Sequence, residues 1–382
     1  MMSAPMGQQY LACDPVGTFP GLEHDPLVLF ARDFCRDRLA PSAPDVDRNG
    51  VVGSVLASMG PLLGMAAGAD LGGSAATPAQ WREVNELIMG ADGTTWFCWS
   101  QHHPLVRTIA AALPYLGEHA RFGRELLSDL VAGRAISAIS FSHVRKPGAP
   151  ALTATPVADG WSLAGRVDWV TAWDVSDVVL VMAEHEGKLV HLVVDTIAQP
   201  GLQVGEPLDL MAMSGSHTRP VAFDSVVVPR SRVVGVLPKA SWLATDERIT
   251  AQPNPAALGV ARAAVASIAA TAAARNCERT AEAGEALALE VRGLRTRSYA
   301  ALDDASTPVA ELLSLRSAGL ALATRAAAAA LTARGGRALM AGDEAERRYR
   351  EAAFLLVQRQ TAMTRLASLD AWAIPMAGAD VP

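Results

Sequence analysis

The stretch "GRVDWVTAWDVSDVVLVMAEH", residues 165–185, decides how this chain is read. It is rich in β-branched residues and places Trp169 and Thr171 two positions apart, so a strand directs both side chains to one face. The same texture extends on either side, from about Gly133 to Pro238, in "ALTATPVADGWSLAGRVDWVT", "KLVHLVVDT" and "TRPVAFDSVVVPRSRVVG". Turn signals such as "ADG" and "EHEG" separate these runs, which predicts an antiparallel β domain over residues 133–238. Outside it the period changes. "LVLFARDFCRDRLA" repeats apolar residues at helical spacing and is expected to stop at Pro41, and "TPAQWREVNELIMGADG" opens on a Thr cap followed by Pro. "HPLVRTIAAALPYLG" and "ARFGRELLSDLVAG" continue the pattern. After Pro255 the chain is Ala-rich and helical, as in "PAALGVARAAVASIAATAAARN" and "VAELLSLRSAGLALATRAAAAALTARGG". The fold class is therefore α+β: an N-terminal helical domain (1–132), a middle antiparallel β domain (133–238) and a C-terminal helical bundle (239–382). Helices this rich in Ala pack closely, which suits a bundle or a helical oligomer interface.

With 382 residues, half of them apolar, the chain can bury a large core. Its net charge of -6 is spread along the sequence, with no basic run interleaved with aromatics, so nucleic acid is not an expected partner. Cys13, Cys35, Cys98 and Cys277 show neither metal-ligand spacing nor a disulfide framework, which points to a reducing, cytoplasmic setting and no metal. The opening "MMSAPMGQQYLACDP" has no basic or long apolar region, so no signal peptide is expected. Residues 51–69, "VVGSVLASMGPLLGMAAGA", carry no charge and are long enough to cross a membrane. They contain Pro61 and several glycines and lack flanking anchors, so a buried helical hairpin broken at glycine is expected instead.

The α, β, α order and six local matches resemble the acyl-CoA dehydrogenase superfamily of flavoproteins over about Pro26 to Asp370. The matches are "FARDFCRDRLAPSAPDVDRNG", "EVNELIMGADGTTWFCWSQHH", "YLGEHARFGRELLSDLVAGRAISAISFS" with "WVTAWDVSDVVLV", "MSGSHTRPVAFDSVVVPRSRVVG", "ARGGRAL" and "AERRYREAAF". From the residues alone, Trp169 and Thr171 read as a core Trp and a strand-forming Thr. The resemblance reverses that reading: it implies a flavin whose ring lies against Trp169 and whose N5 edge meets the Thr171 hydroxyl. It also places Phe141 and Ser142 at the flavin loop, with Ser142 at the position of a flavin-contacting Thr. Gly335 and Gly336 match a double-Gly turn that lets a neighbouring subunit's backbone approach the cofactor.

The pattern also breaks. In "FSHVRKPGAP" the family's Ser that meets a phosphate is missing, leaving Arg145 and Lys146 either to replace it by charge or to form a solvated basic turn. After "AAARN" the segment that binds the distal half of FAD is short and lacks its Phe-containing pairs, so FAD is the first expectation and FMN the second. The catalytic carboxylate that many members carry in the last helices is replaced within "QRQT" by Arg359, which cannot accept a proton. Other members place the base in a Glu-Arg pair before the long C-terminal helix. Here "TDERIT" offers Glu247 as base and Arg248 to orient the substrate's polar end, although an exposed acidic helix entry has the same composition.

The implied activity is flavin-dependent oxidation of a CH–CH unit in an acyl thioester or similar small molecule. An electron acceptor or flavin reductase is the expected partner, and a homodimer or homotetramer the expected assembly. The alternative within the fold is a flavin monooxygenase, for which His102, His103 and His143 are candidates. A flavin-poor binding or scaffold relative is a third reading.

Overall fold

The computed structural model describes residues 13–373, and residues 1–12 of the opening stretch read for a leader lie outside it. The chain forms two compact units: residues 20–84 with 92–244, and residues 13–19 and 85–91 with 245–373. The changes of secondary structure fall near the positions read from sequence, the first strand starting at Ser137 and the last ending at Pro238.

The first unit starts with α1 (Pro26–Phe34), whose Asp25 cap accepts from the Leu27 and Val28 amides. The helix does not stop at Pro41. A π-helical turn, Cys35–Leu39, leads into α2 (Ala40–Asn49), with the Pro in its first turn. A proline there removes no needed donor, because the first amides of a helix have no intrahelical acceptor. Residues 51–69 are not a hairpin either. They form α3 (Gly53–Ala57) and two 3-10 turns, Gly60–Leu62 and Ala69–Leu71, that bury Leu56, Met59, Leu62 and Leu63. α4 (Pro78–Ala91), α5 (Gly93–Ala112) and α6 (Ala120–Val131) follow. Asp92 separates α4 from α5 and caps the latter through the Thr94 and Thr95 amides.

Eight strands form one sheet: β1 (Ser137–Ser140), β2 (Leu152–Val157), β3 (Gly160–Val170), β4 (Val178–His185), β5 (Lys188–Asp195), β6 (Leu202–Val204), β7 (Arg219–Pro229) and β8 (Val233–Pro238). The order is β6-β7-β3-β2-β4-β5-β8, with β1 beside β4. The sheet is mostly antiparallel, as expected, but β1 pairs with β4 in parallel, and β2 touches β4 in parallel at Thr153 and Glu184. The β2–β3 hairpin lies between β1 and β4 in sequence and returns the chain in its original direction. The unbroken apolar run of β4 has a physical reason. Val179, Val181 and Ala183 enter a core shared with β3, β5 and β7, while Val178, Leu180 and Met182 enter a second core with α5 and α6. A strand buried on both faces needs no polar alternation.

α7 (Lys239–Ala251) starts in the first unit and ends in the second, whose other helices form a bundle: α8 (Pro255–Arg275), α9 (Glu278–Asp303), α10 (Val309–Arg334), α11 (Glu344–Val357) and α12 (Ala362–Ala373). α8 is its centre, packing on α9, α10 and α11, and small residues allow the close approach. At Gly259 a Cβ would lie 2.6 Å from the Glu86 carbonyl oxygen, so only glycine lets α8 pass the last turns of α4 at this distance. The carbonyls of Gly90 and Ala91 that end α4 accept from Arg348 and Arg347 of α11.

A buried charge network sits beside Gly259. The Glu86 carboxylate accepts from Arg262 (3.1 Å), Arg295 (3.1 Å) and the Tyr299 hydroxyl (2.5 Å), and Arg262 also holds Asp14 at 2.7 Å. Two carboxylates balance two guanidinium groups. Burial works to raise the Asp14 pKa, but Arg262 together with the Gly17 and Val16 amides offsets it and holds the carboxyl below its ordinary value.

Candidate active site

The end of β3 is shaped by a bulge. Val167 pairs with Val221 and Val170 with Arg219, so the register shifts between them and both valines enter the core. Trp169, on the other side of the strand, is 50% exposed. Thr171, just beyond the last paired residue, is buried. Ala172 then takes a left-handed conformation (φ 65°, ψ 21°) and turns the chain into Trp173–Val175. The sequence predicts a shared face for Trp169 and Thr171. The structure leaves the ring open to solvent and draws the hydroxyl inward.

What holds the hydroxyl is a turn that precedes β7. The Thr171 Oγ1 lies 3.0 Å from the Thr218 Oγ1, which lies 2.8 Å from the Ser216 Oγ. All three residues are at most 5% exposed. Backbone bonds fix the spacing: the Ala172 amide donates to the Ser216 carbonyl (2.9 Å) and the Trp173 amide to the His217 carbonyl (3.1 Å). The turn is itself anchored to α2. A Cβ on Gly215 would lie 2.2 Å from the Val46 carbonyl oxygen, and the Val51 amide donates to the Gly215 carbonyl. His217 spans the Val51 carbonyl (2.9 Å) and the Asp174 carboxylate (3.3 Å), which also accepts from Arg219. Sequence reasoning missed Ser216 and Thr218. Two hydroxyls two positions apart in "SGSHT", at the mouth of a strand, are the signal that points to them.

Three hydroxyls carry three hydrogens, and two contacts use two of them. The remaining hydrogen needs an acceptor. At the Thr171 end, two positions from the exposed Trp169, that hydrogen fits an acceptor nitrogen at the edge of a bound heteroaromatic group.

Ser142 opens the 3-10 turn Ser142–Arg145 and is exposed. Phe141 is half-buried, edge-on to Trp242 at 6.1 Å, with the Arg145 guanidinium 4.8 Å over its ring. Lys146 bridges to Asp168 at 2.8 Å, tying this turn to the residue before Trp169. The Lys146 hydrogen bond lowers the Asp168 pKa, but both side chains are about half exposed, and such a pair contributes about 0–1 kcal/mol.

The three histidines are buried. His102 accepts the Ser137 amide on Nδ1 (3.1 Å) and so locks α5 to β1. His103 lies edge-on between Trp81 (4.7 Å) and Trp99 (4.5 Å). His143 donates from Nε2 to the Met182 carbonyl (2.7 Å), filling the gap on β4 between its pairings with β1 and β2. Burial pushes the pKa of His102 and of His191 on β5 down to about 4, and lowers those of His103 and His143.

Above pH 6.5 these rings are neutral folded and unfolded, and their shifts contribute nothing. Between pH 6.5 and 4 the unfolded chain binds protons that folded His102 and His191 refuse, so stability falls with falling pH. Each contributes about 1.4 kcal/mol per pH unit. Urea unfolding at pH 7.5, 6 and 5 is expected to show this loss; a flat profile would mean that the rings take protons in the folded state.

In the helical bundle, Glu247 is exposed on α7 and its carboxylate makes no hydrogen bond or ion pair with the described residues. Arg248 donates to the carbonyls of Ala305 (2.8 Å) and Thr307 (3.4 Å), so its guanidinium holds the α9–α10 turn. Gly335 and Gly336 follow the end of α10, where Arg275 caps the Ala333 and Arg334 carbonyls. No side chain or backbone atom of the described residues crowds Gly336. Arg359 is exposed with a left-handed backbone (φ 54°). Among the described residues no cluster of His, Cys, Asp and Glu could hold a metal.

The chain is 26% identical over 258 residues to a 3-(aryl)acrylate reductase of Clostridium sporogenes, covering 64% of this chain and 67% of that one. It is 25% identical over 227 residues to the human mitochondrial short-chain specific acyl-CoA dehydrogenase, covering 56% and 53%. The matched region thus spans about half to two thirds of these relatives. Among solved structures, a glutaryl-CoA dehydrogenase from Mycobacterium smegmatis in complex with FADH2 superposes with a TM-score of 0.75 at 18% identity, covering 94% of this chain and 98% of that one. At that identity the likeness shows the fold alone. No family model matches.

Proposed function

We propose that this chain, a member of the acyl-CoA dehydrogenase superfamily, is a flavin-dependent oxidoreductase that oxidises a CH–CH unit of an acyl thioester or a similarly activated small molecule. The observation that supports this most is the buried hydroxyl chain that ends at Thr171, two positions along the strand end from the exposed Trp169. When bound, a flavin supplies the hydride acceptor. Trp169 would cover its ring, the Thr171 hydroxyl would hydrogen-bond its N5 edge, and Phe141 and Ser142 would hold its pyrimidine side. Glu247, whose carboxylate is uncommitted, is assigned the α-proton. Arg248 positions the helix that carries Glu247. The open Gly335–Gly336 turn is assigned to the distal half of the cofactor of a neighbouring subunit. FAD is the first choice and FMN the second, and chromatography of the released flavin separates them. Exposed apolar residues on the bundle, among them Leu339, Met340, Leu366, Leu369 and Trp372, support a homodimer or homotetramer.

The test is anaerobic mixing of the oxidised flavoprotein with a panel of acyl-CoA and acyl-carrier thioesters. Bleaching of the flavin without O2 or NAD(P)H is expected. A monooxygenase would instead need prior reduction and would consume O2; the commitment of His102, His103 and His143 to packing and backbone contacts weighs against it. A colourless protein that takes up no flavin would leave only the scaffold reading.

A further inference from the structure

We propose that Thr218 and Ser216 are positioning residues that aim the Thr171 hydroxyl at the flavin's N5 edge, an inference that rests on the flavin placement above. A threonine at a strand end is not limited to one rotamer, and a lone hydroxyl there can turn to a local backbone carbonyl. The 3.0 Å contact with Thr218 removes that freedom. Ser216, fully buried, completes the chain at 2.8 Å. If Ser216 donates to Thr218 and Thr218 to Thr171, the spare hydrogen leaves through Thr171 toward an acceptor. Reversing every donor lets Thr171 accept instead. The chain can therefore serve a ring nitrogen with a lone pair and the same nitrogen once it carries hydrogen. Donors that polarise one another also strengthen the terminal contact.

The turn that carries Ser216 and Thr218 is fixed to α2 by the Val51 amide and by Ser214, whose hydroxyl donates to the Asp47 carbonyl at 3.2 Å. The hydroxyl positions are therefore set by the fold and do not wait for a ligand.

The experiment is a double-mutant cycle on the flavin-loaded protein, read as the flavin dissociation constant and midpoint potential. Thr218→Val, of nearly equal shape, is expected to raise the dissociation constant about three- to tenfold, the loss of roughly one net hydrogen bond, and to shift the potential. Thr218→Ser is expected to restore both values. Ser216→Ala is expected to move them in the same direction by less, and serves in place of Thr218→Val if that variant does not fold. In a Thr171→Val background the same substitutions are expected to change neither quantity. Equal effects in both backgrounds, or none in either, would overturn the proposal while leaving the flavin placement intact. If Thr171→Val alone moves neither quantity, the placement itself is wrong and the proposal falls with it.

Discussion

Replacing Glu247 by Gln is expected to slow anaerobic flavin reduction by about 10²- to 10⁴-fold, the usual contribution of a positioned general base. Flavin content and the visible spectrum are expected to stay as in the wild type. The separation follows from where the residue sits. Glu247 is exposed and its carboxylate has no polar partner among the described residues, so the substitution removes the basic atom and leaves the backbone contact with Thr250 in place. Its neighbour Arg248 keeps the α9–α10 turn in place through the Ala305 and Thr307 carbonyls, so the helix should not move. By the resemblance read from the sequence, Arg359 falls at a position where a catalytic carboxylate is expected, and it cannot take a proton, so Glu247 is the carboxylate proposed. Wild-type rates in Glu247→Gln would remove it from the mechanism and move the weight to oxygen chemistry.

Glu86→Ala is expected to cost about 3–5 kcal/mol of stability, measured by urea unfolding at neutral pH. The carboxylate is fully buried and neutralises Arg262 and Arg295 while accepting the Tyr299 hydroxyl. Without it, Arg262 keeps its pair with Asp14 and Arg295 its bond to the Gly17 carbonyl, but both guanidinium groups lose a buried counter-charge and neither can lose its own charge. The truncated side chain also leaves space beside Gly259, where α8 touches the Glu86 backbone. Loss of less than about 1 kcal/mol would show that water enters and takes over the lost contacts. An exposed pair such as Lys146–Asp168 offers the contrast, because solvent already screens it.

The sequence by itself determined the α, β, α order, since the spacing of apolar residues reports local geometry, which depends on near neighbours alone. The resemblance, carried by short local matches, singled out Trp169, Thr171 and Ser142, which the residues alone left as a core Trp, a strand Thr and a loop Ser. The sequence misread Pro41 as a helix end, because periodicity cannot register a π-helical turn that carries the chain through. It expected a purely antiparallel sheet, because strand direction depends on how the β2–β3 hairpin returns the chain, and hairpin and crossover strands have similar composition. Tertiary structure alone decided which polar residues are committed. His102, His103 and His143 look reactive in a sequence, yet their partners lie on β1, on two tryptophans and on β4. Ser216 and Thr218 look unremarked in a sequence and become part of the candidate site because 47 positions of chain fold back to set Thr218 beside Thr171. Hydrogen bonds between distant segments have no period, so no local pattern announces them; only the packed core fixes which donor meets which acceptor.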